Sequence, residues 1–317
     1  MKLSEFAGYG EKMEQLMRSV QAGRIVHALL FTGPHGTGKR TVANLFAQAM
    51  LCRGEDKPCG ECPACKKFAA GIHPDVKIVR HEKDKKTISV EQIRDLIEKL
   101  AMQPYEGGRH IAIIEEADRM TPSAQNALLK TLENPVGDVM FFLITDAPGS
   151  LLTTILSRCQ SVRFTDLSME ECTRVLEGRG FETERARRLA GYAQGSVGRA
   201  IEINEDGEYE NLRSQVIDSV EKIKKPSDVA GAAAPLVDMK DDANRVLEIM
   251  ELWARDLMAV QAGLAPFQSA DEDRLKRSSI CGRQLLKAVI KLRMQLGSNV
   301  SWANALETMY FGLVSGS

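Results

Sequence analysis

Short apolar runs alternate with longer amphipathic segments over the first half of the chain. The apolar runs predict strands at residues 27–31, 76–79, 111–114, 140–145 and 160–164. The segments between them have apolar residues at helical spacing, and Ser89 and Gln92 have the spacing of a capping box at a helix start. Because strands and helices alternate, the pattern predicts a parallel sheet that is covered by helices on both faces.

The pattern becomes entirely helical after residue 165. Ser168 and Glu171 form a second capping-box pair, and helices are predicted up to about residue 203. The acidic segment 204–211 predicts a linker. Beyond it, one apolar stripe predicts a long helix packed in a core, and its members are Val246, Ile249, Met250, Trp253, Leu257 and Val260.

These changes predict an α/β fold followed by an all-α part. The sheet domain is expected over 1–165, a small helical domain over 166–205 and a further helical domain over 212–317. A length of 317 residues agrees with more than one domain.

Composition narrows the class of protein. The chain is 44% hydrophobic and 27% charged, and no apolar run approaches the roughly 18 residues of a membrane span. Residues 1–6 lack a signal-peptide core, so we expect a cytoplasmic protein. A net charge of -1 gives no general reason for strong independent binding to nucleic acid. We therefore expect any DNA contact to be local or made through partners.

A glycine-rich loop follows the first predicted strand. Its glycines would let backbone N–H groups surround phosphates, Lys39 would reach the terminal phosphate, and the next residue should offer Mg²⁺ a hydroxyl. Arg40 stands there and cannot ligate a cation, while the Thr41 hydroxyl points about 100° away on a helix. The sequence predicts a phosphate loop but leaves nucleotide binding open. The candidate binding residues are Gly33, Gly36, Thr37, Gly38, Lys39, Arg40 and Thr41.

Glu115 and Glu116 come directly after the third predicted strand. In phosphate-loop proteins, acidic residues at this place organise Mg²⁺ and orient the attacking water. The alternative is that they are solvated carboxylates that favour a helix N-terminus.

Four of the seven cysteines have the spacing C-x6-C-x2-C-x2-C, at Cys52, Cys59, Cys62 and Cys65. In a reducing compartment, such a cluster indicates a closed tetrahedral Zn²⁺ site rather than disulfides. Because four thiolates leave no open position, we expect the zinc to be structural and to hold a module over residues 52–65. The other cysteines are expected to be buried apolar side chains.

Several short sequence motifs occur together with the loop and the four cysteines. They are His27-Ala28, His73-Pro-Asp75, Asn-Ala-Leu-Leu-Lys-Thr-Leu-Glu at 126–133, and Ser157-Arg158-Cys159. In this order the chain resembles the bacterial DNA polymerase III clamp-loader subunits of the AAA+ superfamily, over nearly all of residues 5–205. The resemblance implies an AAA+ domain with a zinc module, a helical lid domain and a C-terminal collar domain for oligomerisation.

The resemblance also implies a role. Two residues differ from the pattern of the motor subunits. Arg40 replaces the Mg²⁺-binding hydroxyl, and Glu115 stands where motor subunits carry Asp. These differences match the family member that closes one end of a five-subunit arc and has no catalysis of its own. Its expected partners are the motor subunits (gamma/tau) and the delta subunit, with the sliding clamp and primed DNA reached through the complex. Arg158 matches the family's arginine finger, which acts in trans. Thr145 and Arg199 match the two nucleotide sensors, whose roles lapse if no ATP/Mg²⁺ binds in cis.

Three alternatives remain at this point. An active clamp-loader ATPase would use Lys39 and Glu116, and Arg40 counts against it. A nucleoside-monophosphate kinase with a zinc lid would carry its cysteines well downstream of the loop. A zinc-module DNA-binding protein would show more basic and aromatic residues around 52–65.

Overall fold

The computed structural model describes residues 15, 16, 18, 27–55, 57–82, 85–106, 108–135, 137–268, 271–296 and 300–315. Residues 1–14, with the segment on which the expectation about targeting depends, lie outside this described part. The chain divides into two compact units, Met1–Gly180 with Gly195–Arg199, and Phe181–Gln194 with Ala200–Ser317. The segment 166–205, predicted as one helical domain, is shared between both units.

Five parallel strands form the sheet of the first unit, as predicted. They are β1 (Ala28–Thr32), β2 (Val76–Val79), β3 (His110–Ile114), β4 (Val139–Thr145) and β5 (Gln160–Arg163), in the order β2-β3-β4-β1-β5. Because the strands are parallel, the segments that follow β1, β3 and β4 meet at one edge of the sheet.

Helices connect these strands and cover both faces. In the first unit they are α1 (Lys39–Leu51), α2 (Pro63–Ala69), α3 (Val90–Leu100), α4 (Pro122–Glu133), α5 (Thr153–Leu156) and α6 (Met169–Glu177). Both predicted capping boxes are confirmed, at Ser89 for α3 and at Ser168 for α6.

The two faces of the sheet bury separate apolar clusters. On one face, the Phe31 ring centroid lies 5.6 Å from Phe164, 5.9 Å from Phe142 and 6.4 Å from Phe46 of α1. On the other face, strand residues such as Leu30 pack with α3 and α4. Burial on both faces explains why the three central strands β1, β3 and β4 are almost continuously apolar, whereas the outer strands β2 and β5 carry exposed residues.

The remaining helices are α7 (Thr183–Tyr192), α8 (Val197–Glu205), α9 (Tyr209–Glu221), α10 (Val229–Val237), α11 (Ala243–Gln261), α12 (Glu272–Arg277), α13 (Gly282–Leu296) and α14 (Trp302–Ser315). The predicted stripe lies on α11, where all of its members except the half-buried Val260 are buried. No helix in the described ranges is long and apolar enough to cross a membrane.

The predicted linker 204–211 is wrong over most of its length. α8 continues to Glu205 and α9 begins at Tyr209. Tyr209 is buried, with its ring 5.5 Å from that of Tyr192, and this contact fixes the start of α9. The acidic residues beside it stand at a helix N-terminus, where the helix dipole favours negative charge.

Replacing Phe31 tests the account of the core. Phe31→Ala removes a fully buried ring that contacts three others, so we expect the free energy of unfolding to fall by about 3–5 kcal/mol. Chemical denaturation measures this change. Tyr105→Ala is the control, because that side chain is 87% exposed, and it should change the free energy by less than about 0.5 kcal/mol. Equal losses in the two variants would contradict the packing described.

Candidate functional site

The four clustered cysteines meet between α1 and α2. Cys52 follows α1, Cys62 caps the N-terminus of α2, and all four Sγ atoms lie within 4.8 Å of one another. A tetrahedral zinc with Zn–S bonds of about 2.3 Å places its sulfurs about 3.8 Å apart. The Sγ atoms of Cys59 and Cys65 are 4.0 Å apart. The arrangement can hold a metal ion such as zinc.

Backbone N–H groups surround these sulfurs. Cys52 Sγ accepts from the N–H groups of Gly54 and Cys59, at 3.3 and 3.4 Å. The backbone N–H groups of Arg53 and Cys65 lower the pKa of Cys62 to about 6, whereas burial raises the pKa of Cys65 to about 12. A Cβ at Gly54 would lie 2.9 Å from the Cβ of Cys59, so glycine is needed for the close approach.

Two carboxylates fasten the cysteine module to the sheet domain. The Glu106 carboxylate lies 2.5 Å from Lys67 Nζ and 3.6 Å from Arg53 Nη2. Asp75, which is 1% exposed, accepts from the backbone N–H groups of Tyr105 and Glu106, at 2.6 and 3.0 Å. Sequence reasoning noted Asp75 within a motif but gave it no role.

The lysine of the glycine-rich loop is surrounded by two loop carbonyl groups and is neutralised by an acid that follows β4. Lys39, which is 5% exposed, donates through Nζ to the carbonyl oxygens of Gly33 at 2.8 Å and Pro34 at 2.5 Å. Its third close neighbour is Asp146 Oδ1, at 2.7 Å. Sequence reasoning missed Asp146, although its place directly after β4 puts it at the same sheet edge.

Arg40 pairs with the acid after β3. Its Nε lies 3.5 Å from Oε1 of Glu115, which is buried while Arg40 is mostly exposed. The guanidinium therefore stands beside the carboxylate for which the sequence predicted a role in Mg²⁺ binding. Thr41 lies one residue further along the first turn of α1.

The other predicted groups of this edge also contact their own chain. The Glu116 carboxylate is 2.8 Å from His81 Nδ1 and 2.7 Å from Arg119 Nε. The Thr145 hydroxyl donates to Asp118 Oδ1 at 2.7 Å. The predicted acids and first sensor are thus held by neighbours within the unit.

The glycine-rich segment 195–198, which includes the first two residues of α8, contacts the loop. The Ser196 hydroxyl donates to the carbonyl oxygen of His35 at 3.0 Å, and Gly198 N–H donates to that of Gly36 at 2.9 Å. A Cβ at Gly36 would lie 2.2 Å from Ser196 Oγ, so a side chain there would prevent this contact. Burial raises the pKa of Asp166, and the nearby charges of Lys39 and Arg199 oppose part of that rise.

Arg158 lies at the end of the sheet where the parallel strands begin, opposite the end that carries the loop. It is two residues before Gln160, which pairs with Leu29 at the start of β1, whereas the loop follows the end of β1. Strand β1 has five residues, so roughly 13 Å of strand separates the two edges. The structure brings the loop, the acids and the residues predicted as sensors, Thr145 and Arg199, together and leaves Arg158 apart from them.

The Arg158 guanidinium borders an open cleft of about 570 Å³, lined by His27 and by residues 132–134 and 157–160. Its Nη2 lies 2.5 Å from Glu133 Oε1, and its Nη1 donates to Thr154 O and Ser157 Oγ at 3.1 and 3.3 Å. The side chain is 35% exposed. Sequence reasoning missed Glu133 as its partner.

Comparison with known proteins identifies the family of the chain. The family model "DNA polymerase III, delta subunit" matches residues 9–168. DNA polymerase III subunit delta' of Bacillus subtilis is 31% identical over 317 residues, covering 96% of this chain and 95% of that protein. The Pseudomonas aeruginosa subunit delta' is 36% identical, covering 71% of this chain and 69% of that protein.

A more distant relative carries another subunit name. DNA polymerase III subunit tau of Bacillus subtilis is 34% identical over 171 residues, which is 53% of this chain and 30% of that protein. The Bacillus subtilis and Pseudomonas aeruginosa delta' subunits therefore match over more of the chain than this tau subunit does. The chain belongs to the delta' family of DNA polymerase III, the clamp-loader subunits of the AAA+ superfamily.

Proposed function

We propose that this chain is the non-hydrolysing member of its clamp loader and offers Arg158 to the ATP site of a neighbouring motor subunit. The observation that carries the proposal is the position of Arg158 at the sheet edge opposite its own loop. A guanidinium there is directed to a partner's nucleotide, where it can stabilise charge that develops in phosphoryl transfer. In GTPases such a finger raises turnover by about 10³–10⁵.

The chain's own nucleotide site, at the glycine-rich loop, also supports a subunit that does not hydrolyse ATP. Lys39 is neutralised by Asp146, Arg40 stands where a Mg²⁺ ligand is needed, and Glu116 is held by His81 and Arg119. A hydrolytic site needs these groups for phosphate, metal and water. We infer that ATP/Mg²⁺ is not turned over here, which disfavours the motor alternative. The match to the delta' family argues against the nucleoside-monophosphate kinase and the zinc-module DNA-binding protein.

The metal in the four-cysteine module is proposed to be Zn²⁺ in a structural role. Cys52, Cys59, Cys62 and Cys65 would supply all four ligands, and no position would remain for a substrate. The backbone N–H groups around the sulfurs support thiolate ligands. The metal would order the module, and the pairs of Glu106 with Arg53 and Lys67 would hold the ordered module against the sheet domain.

The partners proposed are the gamma/tau motor subunits and the delta subunit, with the sliding clamp and primed DNA bound through the assembled loader. Residues 1–165 would form the AAA+ domain, 166–205 the lid and 212–317 the collar. Half-exposed or exposed apolar side chains on the last two helices support a collar that packs against other subunits, and they are Ile290, Met294 and Phe311.

Arg158→Ala tests the finger in a loader reconstituted with its motor subunits. One ATP site loses its trans-acting cation, so turnover with clamp and primed DNA should fall by at least the share of that site. Steady-state phosphate release measures the fall, and size-exclusion chromatography should show intact assembly. Arg163→Ala, which removes an exposed arginine of β5, should have no effect. Unchanged turnover in Arg158→Ala would refute the finger.

Removal of one ligand tests the zinc proposal. Cys65→Ser should reduce the zinc content from one ion per chain to none, because a closed site needs all four thiolates. The melting temperature should fall as well, since metal binding is coupled to folding of the module. Elemental analysis and calorimetry measure both, and Cys281→Ser is the control, because Cys281 is exposed and the prediction that it is buried is wrong. Full zinc occupancy in Cys65→Ser would contradict the assignment.

Arg40→Ser tests why the cis site is inactive. The change restores a hydroxyl at the Mg²⁺ position and frees Glu115, so affinity for Mg-ATP should rise by about tenfold or more over the unaltered chain. Titration of a fluorescent ATP analogue measures this, and EDTA should abolish the gain. Arg179→Ser removes an equal charge from an exposed position and should gain nothing. A gain that persists in EDTA would show that loss of Mg²⁺ binding is not the effect of Arg40.

A further inference from the structure

We propose that Glu133 is the positioning residue of Arg158. In the free subunit its carboxylate holds the guanidinium on its own chain, and the neighbour's phosphate takes the carboxylate's place when the loader is triggered. The inference rests on the proposed finger function and adds a step to it, in which the finger is released from one anion to another.

The geometry shows a guanidinium that is held on two sides. Glu133 Oε1 binds Nη2 at 2.5 Å, while Nη1 donates to acceptors at the end of α5. These nitrogens are the ends with which an arginine binds a phosphate in two parallel hydrogen bonds. Arg158 must therefore exchange at least one partner before it can engage a phosphate in this way.

The place of Glu133 in its helix supports a role beyond helix stability. It is the last residue of α4, where the carbonyl ends carry partial negative charge and disfavour a carboxylate. Arg158 offsets this repulsion. The helix end is itself fixed, because His27 Nε2 lies 2.6 Å from the carbonyl oxygen of Leu132. The carboxylate is therefore presented to the cleft from a defined position.

The ion pair between Arg158 and Glu133 is weak enough to break when a phosphate competes for Arg158. Both side chains are more than one-third exposed, at 35% and 38%. Exposed ion pairs shift an equilibrium by only about 1.4- to 5-fold. Glu133 would therefore keep the finger back in a substantial fraction of resting complexes, whereas a phosphate that carries more charge would displace it once the neighbour is aligned.

The test is basal ATP turnover of the reconstituted loader, without clamp or DNA. Glu133→Gln keeps the size of the side chain and removes its charge, and Glu133→Ala removes the group. Both should raise basal turnover at the one ATP site that Arg158 serves by about 1.4- to 5-fold, which raises the total basal turnover of the loader by a smaller factor, and both should leave kcat with clamp and primed DNA unchanged. Glu98→Gln, an exposed change of equal charge, should leave both values unchanged. If Glu133→Ala fails to assemble, Glu133→Gln decides the matter.

A double-mutant cycle separates positioning from a merely structural effect. In an Arg158→Ala background, Glu133→Gln should have no effect on basal turnover, because the residue acts only through Arg158. High salt should bring the unaltered loader close to Glu133→Gln, since it screens the pair.

Two results would overturn the inference in distinguishable ways. If Glu133→Gln lowers basal turnover, leaves it unchanged, or raises it equally without Arg158, Glu133 does not hold the finger back, and the finger itself stands. If Arg158→Ala leaves stimulated turnover unchanged, the proposed finger fails and the role of Glu133 fails with it.

Discussion

A buried ammonium group must lie beside negative charge, and this constraint organises the loop edge of the sheet. Lys39 is 5% exposed. In a loop that binds nucleotide, the phosphate oxygens of the nucleotide would contact this lysine. Here Asp146 and two loop carbonyls take that place. The buried Glu115 has the converse need, and Arg40 meets it. A nucleotide would have to displace Asp146 and would find an arginine in place of a metal ligand.

The topology of the sheet then separates two groups of residues. Segments after β1, β3 and β4 share one edge, whereas Arg158 precedes β5 and lies at the other. Under the proposed function, one subunit would keep an inactive nucleotide site and still present a cation to a neighbour. The loop also contacts the Gly195–Gly198 segment through two hydrogen bonds, so its conformation has a structural role in the unit that does not depend on hydrolysis.

Local patterns were sufficient for much of this structure. Five apolar runs predicted the strands, Ser89 and Ser168 predicted helix starts, and cysteine spacing predicted a cluster that closes in space. The pairings of Lys39 with Asp146 and of Arg158 with Glu133 were not predicted, because they depend on strand order and on residues far apart in the chain. The segment 204–211 failed for another reason: acidic residues suit helix N-termini as well as linkers, and only the packing of Tyr209 distinguishes the two.

The most direct test of the central claim is a calorimetric titration of the zinc-replete chain with Mg-ATP. The account predicts no binding below millimolar concentrations, because the loop's cations are already neutralised by Asp146 and Glu115. Binding at micromolar concentrations would contradict it, since nucleotide would then displace Asp146 readily and the chain would have to be treated as a nucleotide-responsive member of the loader.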